Sequence, residues 1–121
     1  MTINNPNLYL DGVWDWGILR GCFGTSKIEP TDLDGIVERK GHFLVLETKK
    51  PGVKISQGQM LTFNSMHNTG LFTIVVIWGE NNDPQKMMVI YPPPLQVKQG
   101  SATINDLRRV VKWWYKKANV N

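Results

Sequence analysis

The chain has little that would support covalent cross-links, cysteine-based metal binding or insertion into a membrane. Cys22 is the only cysteine in 121 residues, which excludes an internal disulfide and a zinc cluster built on cysteine. No segment reaches the roughly 18–20 apolar residues of a membrane span. The opening residues, MTINNPNLYLDG, lack the basic start and apolar run of a signal peptide. These absences predict a cytoplasmic protein without contact to a membrane.

Several common catalytic patterns are also missing. Two histidines, His42 and His67, are too few for a His-Asn-His metal nuclease. The chain has no phosphate-binding P-loop and no Gly-x-Ser-x-Gly elbow. What it has is a mild basic excess, with a net charge of +4 and a pI near 9.3, which suits a phosphate-bearing partner. The length predicts a single domain over residues 1–121.

The stretch Thr31–Lys49 predicts a β-hairpin with arms at 34–38 and 43–49. A two-residue turn at Lys40-Gly41 suits the glycine, because such turns need positive φ. The predicted facing pairs are Arg39–His42, Glu38–Phe43, Val37–Leu44, Ile36–Val45, Asp34–Glu47 and Asp32–Lys49.

This register places three charged side chains on one face of the hairpin. Facing residues have Cβ atoms roughly 4.5–5.5 Å apart, so Asp34 lies beside Glu47. Lys49 shares that face because side chains alternate with period two along a strand. A shift of one residue would send Asp34 to the other face and remove the site.

Two opposed carboxylates among Ile, Val and Leu side chains repel strongly, because the local dielectric is low. A shared proton or a divalent cation would offset that repulsion. Two carboxylate ligands, with positions left for water and phosphate, suit Mg²⁺ or Mn²⁺.

The motif Pro30-Thr31-Asp32-Leu33-Asp34, followed by Glu47-Thr48-Lys49, resembles the PD-(D/E)XK nuclease superfamily. The chain is similar to its small stand-alone phage or prophage nucleases, including the VRR-NUC group. The resemblance implies a restriction-endonuclease-like core. That core is an α/β fold in which a mixed β-sheet carries the motif on a hairpin, with helices on both faces.

The rest of the chain predicts elements in a matching order, as an α/β layered domain. The run 71–78 is apolar and β-branched, which indicates a buried central strand. Ser56 and Gln59 have the spacing of a capping box at a helix start. The further predicted elements are a helix over 8–23, an edge strand over 25–29, a helix from Ser56 to about His67, a strand over 86–91 and a helix over 103–118.

The resemblance also implies roles for site residues. Asp34, Glu47 and the backbone carbonyl of Thr48 would bind the metal, and Lys49 would orient the attacking water and stabilise developing charge. Gln59 would lie near the metal or the scissile phosphate, with the capping box as its alternative role. Supporting residues would be Asp32 as an alternative first ligand, Asp15 as an extra ligand from the first helix, and Gln57.

These roles predict a Mg²⁺- or Mn²⁺-dependent DNA endonuclease. Internal cleavage is expected because so small a domain has little material for a strand-threading channel. Double-strand cutting would need a homodimer or a partner protein. The alternatives are a structure-selective junction resolvase or flap nuclease of the same superfamily, and a non-catalytic nucleic-acid-binding module with the same fold. The residues predicted to contact the DNA backbone are Lys54, Ser56, Arg108, Arg109 and Lys112.

Overall fold

The computed structural model describes residues 14–120, and the chain divides into two compact units, Met1–Pro30 and Thr31–Asn121. Each unit is described by itself. The prediction of a single domain over residues 1–121 stays a prediction. Within residues 14–120, neither helix of the second unit combines the length and apolar character needed to cross a membrane.

In the first unit, the described residues form a 3-10 helix, Trp16–Leu19, where the sequence predicted a longer α-helix. The predictions of a helix over 8–23 and a strand over 25–29 are wrong for residues 14–29, and residues 8–13 lie outside the described part. The reason is glycine: Gly21 and Gly24 take positive φ values of 89° and 69°, which turn the chain.

The second unit contains all the strands and α-helices of the described chain. β1 and β2 form the motif-bearing hairpin, and α1 connects β2 to β3. The bounds are β1 Gly35–Arg39, β2 His42–Lys49, α1 Gln57–Asn68, β3 Phe72–Glu80, β4 Asp83–Ile90, β5 Lys98–Ser101 and α2 Ile104–Asn119.

These strands form one five-stranded sheet in the order β1-β2-β3-β4-β5. β2 and β3 run parallel, and the other neighbours are antiparallel, so the sheet is mixed. The parallel pair needs a crossover connection, and α1 provides it. The prediction of an α/β fold with a mixed sheet is confirmed.

The hairpin register predicted from the sequence is confirmed through four rungs, from Arg39–His42 to Ile36–Val45, and the last paired rung joins Gly35 to Leu46. Lys40 and Gly41 have φ values of 51° and 79°, as a two-residue turn of this hand requires. The proposed pairs Asp34–Glu47 and Asp32–Lys49 lie beyond this last rung.

Each helix covers a different face of the sheet. On one face, Phe63 of α1 packs on Val45, Ile74 and Val76. On the other, Trp114 of α2 packs on Leu44 and Val75. The central strand β3 is buried along most of its length, as its apolar run predicted. We call these two sides the α1 face and the α2 face.

Local signals placed the helix starts correctly, whereas one strand escaped prediction. Ser56 is the N-cap of α1, and its Oγ accepts a hydrogen bond from the Gln59 N–H at 3.1 Å. Thr103 and Asp106 form a capping box at the start of α2. β5, with the sequence KQGS, is exposed throughout, and it has no apolar alternation from which it could be predicted.

Candidate functional site

Polar side chains replace apolar ones where β2 ends on the α1 face. Val45, Glu47 and Lys49 point to this face in turn, because strand side chains alternate. Val45 lies in the apolar core, but Glu47 is a carboxylic acid that is only 5% exposed. Acids are rarely buried to this extent without a partner, so the end of β2 is a candidate functional site.

Asp34 lies beside Glu47, as the hairpin register predicted. Each of the two carboxyl groups affects the pKa of the other, as neighbouring acids do. Asp34 precedes β1, and its Oδ2 accepts hydrogen bonds from the Thr48 N–H at 2.7 Å and the Thr48 hydroxyl at 2.8 Å. Thr48 therefore fixes the orientation of Asp34. The use of its backbone carbonyl as a metal ligand stays a prediction.

Glu47 has partners for one of its two oxygens. Oε2 accepts a hydrogen bond from Gln59 Nε2, and Lys49 Nζ lies 3.6 Å from it. Oε1 of Glu47 and Oε1 of Gln59 are both buried without a hydrogen-bond partner in the described chain. An unsatisfied buried oxygen costs about 1–3 kcal/mol, and a carboxylate more. Two such acceptors in one place favour a site for a cation or a donor group.

The pKa values of the two acids shift in opposite directions. Burial raises the pKa of Glu47 above its ordinary value; the hydrogen bond from Gln59 opposes this, and the neighbouring Asp34 adds to it. Burial also acts to raise the pKa of Asp34, but the two hydrogen bonds from Thr48 outweigh it, so this pKa is lowered. Asp34 is therefore the acid that ionises first, and Glu47 holds its proton to higher pH.

Lys49 lies on the same face, with its side chain 14% exposed. Its ion-pair partner is Glu47 and not Asp32, the residue that faces Lys49 in the predicted register. Asp32 is exposed, ahead of β1. The ammonium group is thus held beside the acid pair, as a charge-stabilising lysine requires.

Gln59 does not complete the predicted capping box, because its side chain hydrogen-bonds Glu47 instead of the Ser56 backbone N–H. Its backbone N–H caps α1 through Ser56, and its side chain reaches Glu47. The hydroxyl of Ser56 is engaged in this cap. Asp15 accepts a hydrogen bond from the Gly17 N–H at 2.8 Å and caps the 3-10 helix of the first unit.

The donor set fits a hard divalent cation. It consists of the Asp34 carboxylate and the unpartnered oxygens of Glu47 and Gln59, and Mg²⁺ and Mn²⁺ prefer oxygen ligands. Among residues 14–120, no three Asp, Glu, His or Cys side chains converge. The two carboxylates would therefore be joined by amide or backbone oxygens and by water.

The structure divides the residues predicted to contact DNA between the two faces. Lys54, a predicted DNA contact, is exposed in the loop before α1. Gln57, predicted as a supporting residue of the site, is exposed in the first turn of α1. The basic residues of α2 are exposed on the helix that covers the opposite face, where Arg109 pairs with Asp106 at 3.1 Å. The predicted contacts that the fold separates from the acid pair are Arg108, Arg109 and Lys112.

Two residues beside the site were not predicted from the sequence. Trp78 pairs with Lys49 across the parallel strands, and Lys86 pairs with Trp78 across the next. Their side chains share the α1 face. Only the β2–β3 pairing brings them beside Lys49, and no short-range pattern in the sequence encodes that pairing.

Comparison of the chain with protein-family models, curated proteins and solved structures finds no match in any of the three. Membership of the PD-(D/E)XK superfamily therefore stays a prediction from the motif. The support for a function comes from the positions of four side chains in the site: Asp34, Glu47, Lys49 and Gln59.

Proposed function

We propose that this protein is a Mg²⁺- or Mn²⁺-dependent deoxyribonuclease that hydrolyses phosphodiester bonds. The observation that carries the proposal is the buried carboxylate of Glu47, with Asp34 and Lys49 beside it and one oxygen unpartnered. An acid pair and a lysine at the end of a hairpin suit phosphodiester hydrolysis, because that reaction needs a cation on the phosphate and a stabilised negative charge.

The acid pair is lower in free energy with a bound cation than with an empty site. A buried carboxylate without full compensation costs several kcal/mol, and Lys49 approaches only one of the two oxygens of Glu47. The second carboxylate adds repulsion when both are ionised. A dication between them would satisfy both acids, which a single lysine does not.

Each residue then has a role of its own. Asp34 and Glu47 would hold the dication, while Thr48 orients Asp34 and Gln59 fixes the position of Glu47. Lys49 places a positive charge where negative charge develops on the phosphate, and helps to orient the attacking water. A dication bound there supplies polarisation of a phosphodiester oxygen and a bound water of lowered pKa.

One such site per chain predicts nicking of a single strand, and cutting of both strands requires two copies or a partner protein. A junction resolvase or flap nuclease would use the same four residues. Plasmid, linear duplex, single-stranded and four-way-junction DNA, assayed side by side, separate these substrates.

The test is a cleavage assay on these substrates with Mg²⁺, with Mn²⁺ and with chelator. Chelator should abolish cutting. Lys49→Ala should lower the rate by about 10²-fold or more, because it removes a charge from the transition state. Lys50→Ala is the matched control, since Lys50 is exposed and pairs with Glu80 at 3.5 Å.

Two outcomes contradict the proposal. If the Lys49→Ala protein cuts as fast as the parent, the assigned role of Lys49 is wrong. If the parent binds DNA but cuts none of the four substrates with either metal, the chain is a non-catalytic binding module.

A further inference from the structure

A groove lies on the α1 face of the sheet, and neither acid of the pair lines it. It has a volume of about 530 Å³, and its walls are the Pro51–Ile55 loop on one side and β4 with β5 on the other. Trp78 forms the floor, and its Nε1 donates to the carbonyl oxygen of Val53 at 2.6 Å, which ties the loop to the sheet. The volume is in the range of about 300–1,000 Å³ typical of ligand pockets.

The strand pairing fixes how far this groove is from the site. Lys49, Trp78 and Lys86 form one row across β2, β3 and β4. Neighbouring strands are about 4.8 Å apart, so the backbone at Lys86 is on the order of 10 Å from that at Lys49. The groove therefore lies within about two strand spacings of Lys49 on the same face of the sheet.

The groove has the charge of a phosphate-binding surface. Its lining includes Lys54 and Lys86 and no acidic residue. Lys86 lies over the Trp78 ring, with Nζ 4.8 Å from the ring centroid. Among the ion pairs formed within residues 14–120, none involves either lysine. Both ammonium groups are thus open to an anionic ligand.

The lining also carries groups that suit a nucleoside. Val53 is 46% exposed and offers an apolar surface to a sugar or base. Gln85 and Gln99 bring side-chain amides, which can donate to and accept from base edges. A basic groove that can follow the nucleic-acid backbone is one part of single-strand recognition.

We propose that this groove binds the nucleotides that directly flank the scissile phosphate on one strand, with Lys54 and Lys86 on the backbone phosphates. The proposal rests on the proposed function, because it takes DNA as the ligand. The groove sets the direction in which the bound strand leaves the acid pair, across β3 and β4.

The test measures binding apart from cleavage. A fluorescein-labelled single-stranded oligonucleotide is titrated in chelator and followed by anisotropy at several salt concentrations. The double variant Lys54→Ala/Lys86→Ala should weaken binding by about 10-fold at 0.15 M salt. The slope of log K against log salt should become less negative by about 1.4, as expected for two lost phosphate contacts.

Two controls separate a local contact from the loss of net charge or of folding. Lys98→Ala/Lys116→Ala makes the same charge change on the α2 side, since Lys98 pairs with Val89 and Lys116 is on α2, and it should shift binding by less than about 2-fold. Lys54→Arg/Lys86→Arg should restore binding and the salt slope. In the cleavage assay, the alanine variant should raise KM with little change in kcat.

The outcomes of this test and of the cleavage test are distinguishable. Equal weakening by the two lysine-to-alanine pairs, or no weakening by the groove pair, overturns the groove proposal even if the parent cuts DNA. A parent that does not bind the oligonucleotide overturns it too. Groove-dependent binding by a parent that cuts nothing would support the groove and contradict only the nuclease function.

Discussion

The two faces of the sheet differ in what they bury along the same strands. The α2 face is packed with Leu44, Val75 and Ile77 under Trp114, and its buried polar residue, Thr73, is uncharged. The α1 face begins in the same way, with Val45 and Ile74, but ends at Glu47. Within residues 14–120, the buried acid is on the α1 face.

The difference shows which face of the sheet buries a group that lowers the stability of the fold. Replacing a buried charge by apolar groups is often neutral or stabilising, so keeping Glu47 inside the α1 face has an energetic cost. Groups arranged in this way, with a perturbed pKa and a specific charged neighbour, are typical of functional sites. The α2 face carries no such cost, and its role is to hold the sheet.

The largest effect that would test this contrast is on activity. Glu47→Gln removes the carboxylate that we propose binds the metal while keeping the size of the side chain, so the cleavage rate should fall by about 10³-fold. The rate is measured under saturating Mg²⁺ on the substrate that the parent cuts fastest. Cleavage near the parent rate would show that the buried acid is not part of the active site.

The α2 face should show the largest loss of stability. Trp114 is 4% exposed, so Trp114→Ala should lower the free energy of unfolding by about 3–5 kcal/mol. Trp113 is half-buried and packs edge-on against Tyr91 at 5.0 Å, so Trp113→Ala should cost only about 1–2 kcal/mol. Denaturant unfolding measures both, and the reverse order would contradict the packing assigned to α2.

A smaller effect of opposite sign is expected on the α1 face. Without metal, Glu47→Gln should raise the free energy of unfolding by about 1 kcal/mol at neutral pH, because it removes a buried charge beside Asp34. A drop in the melting temperature of the metal-free protein would argue against crowding of the two acids.

The increase in the free energy of unfolding caused by Glu47→Gln should depend on pH. The pKa of Glu47 is raised in the folded chain, so its stabilising contribution is fully present below its unfolded pKa of roughly 4.3 and is lost as pH rises through the folded pKa. Glu47→Gln should therefore match the parent near pH 4 and exceed it by about 1 kcal/mol at pH 8. Asp34 acts in the opposite sense, since its lowered pKa stabilises the fold above its ordinary range. If the difference in stability between Glu47→Gln and the parent shrinks as pH rises, the direction assigned to the pKa shift of Glu47 is wrong.

The smallest effect should come from the basic residues of α2. Arg108→Ala/Lys112→Ala removes two exposed charges on the helix opposite the site, and screening over about 8 Å at physiological salt leaves only a weak attraction. Binding of the labelled oligonucleotide should weaken by less than about 3-fold. A loss as large as that of Lys54→Ala/Lys86→Ala would place DNA on both faces.

The part of the site that the sequence predicted is the part built from short-range rules. The turn at Lys40-Gly41 and strand alternation fixed the hairpin register, and this placed Asp34, Glu47 and Lys49 together. The N-cap at Ser56 follows from local hydrogen bonding as well. These features depend on residues a few positions apart, or on one closed turn, so their pattern is visible in the chain.

The positions that the sequence did not predict depend on contacts between distant elements. Helical periodicity shows which side of α2 is apolar, but not which face of the sheet that side covers. Arg108 and Lys112 are predicted to contact DNA, and only the structure shows that α2 lies on the face opposite the acid pair. The row of Lys49, Trp78 and Lys86 was missed for a similar reason, because it requires the pairing of β2 with β3.

The sequence by itself determined the acid pair, its lysine and the face of the hairpin on which they lie, because alternation and a two-residue turn leave one register. Only the tertiary structure decided that Gln59 reaches Glu47, that one oxygen of that acid is buried without a partner, and that a groove with two lysines lies on the same face. These depend on how α1, β3 and β4 pack around β2, and packing between distant segments is set by the whole core.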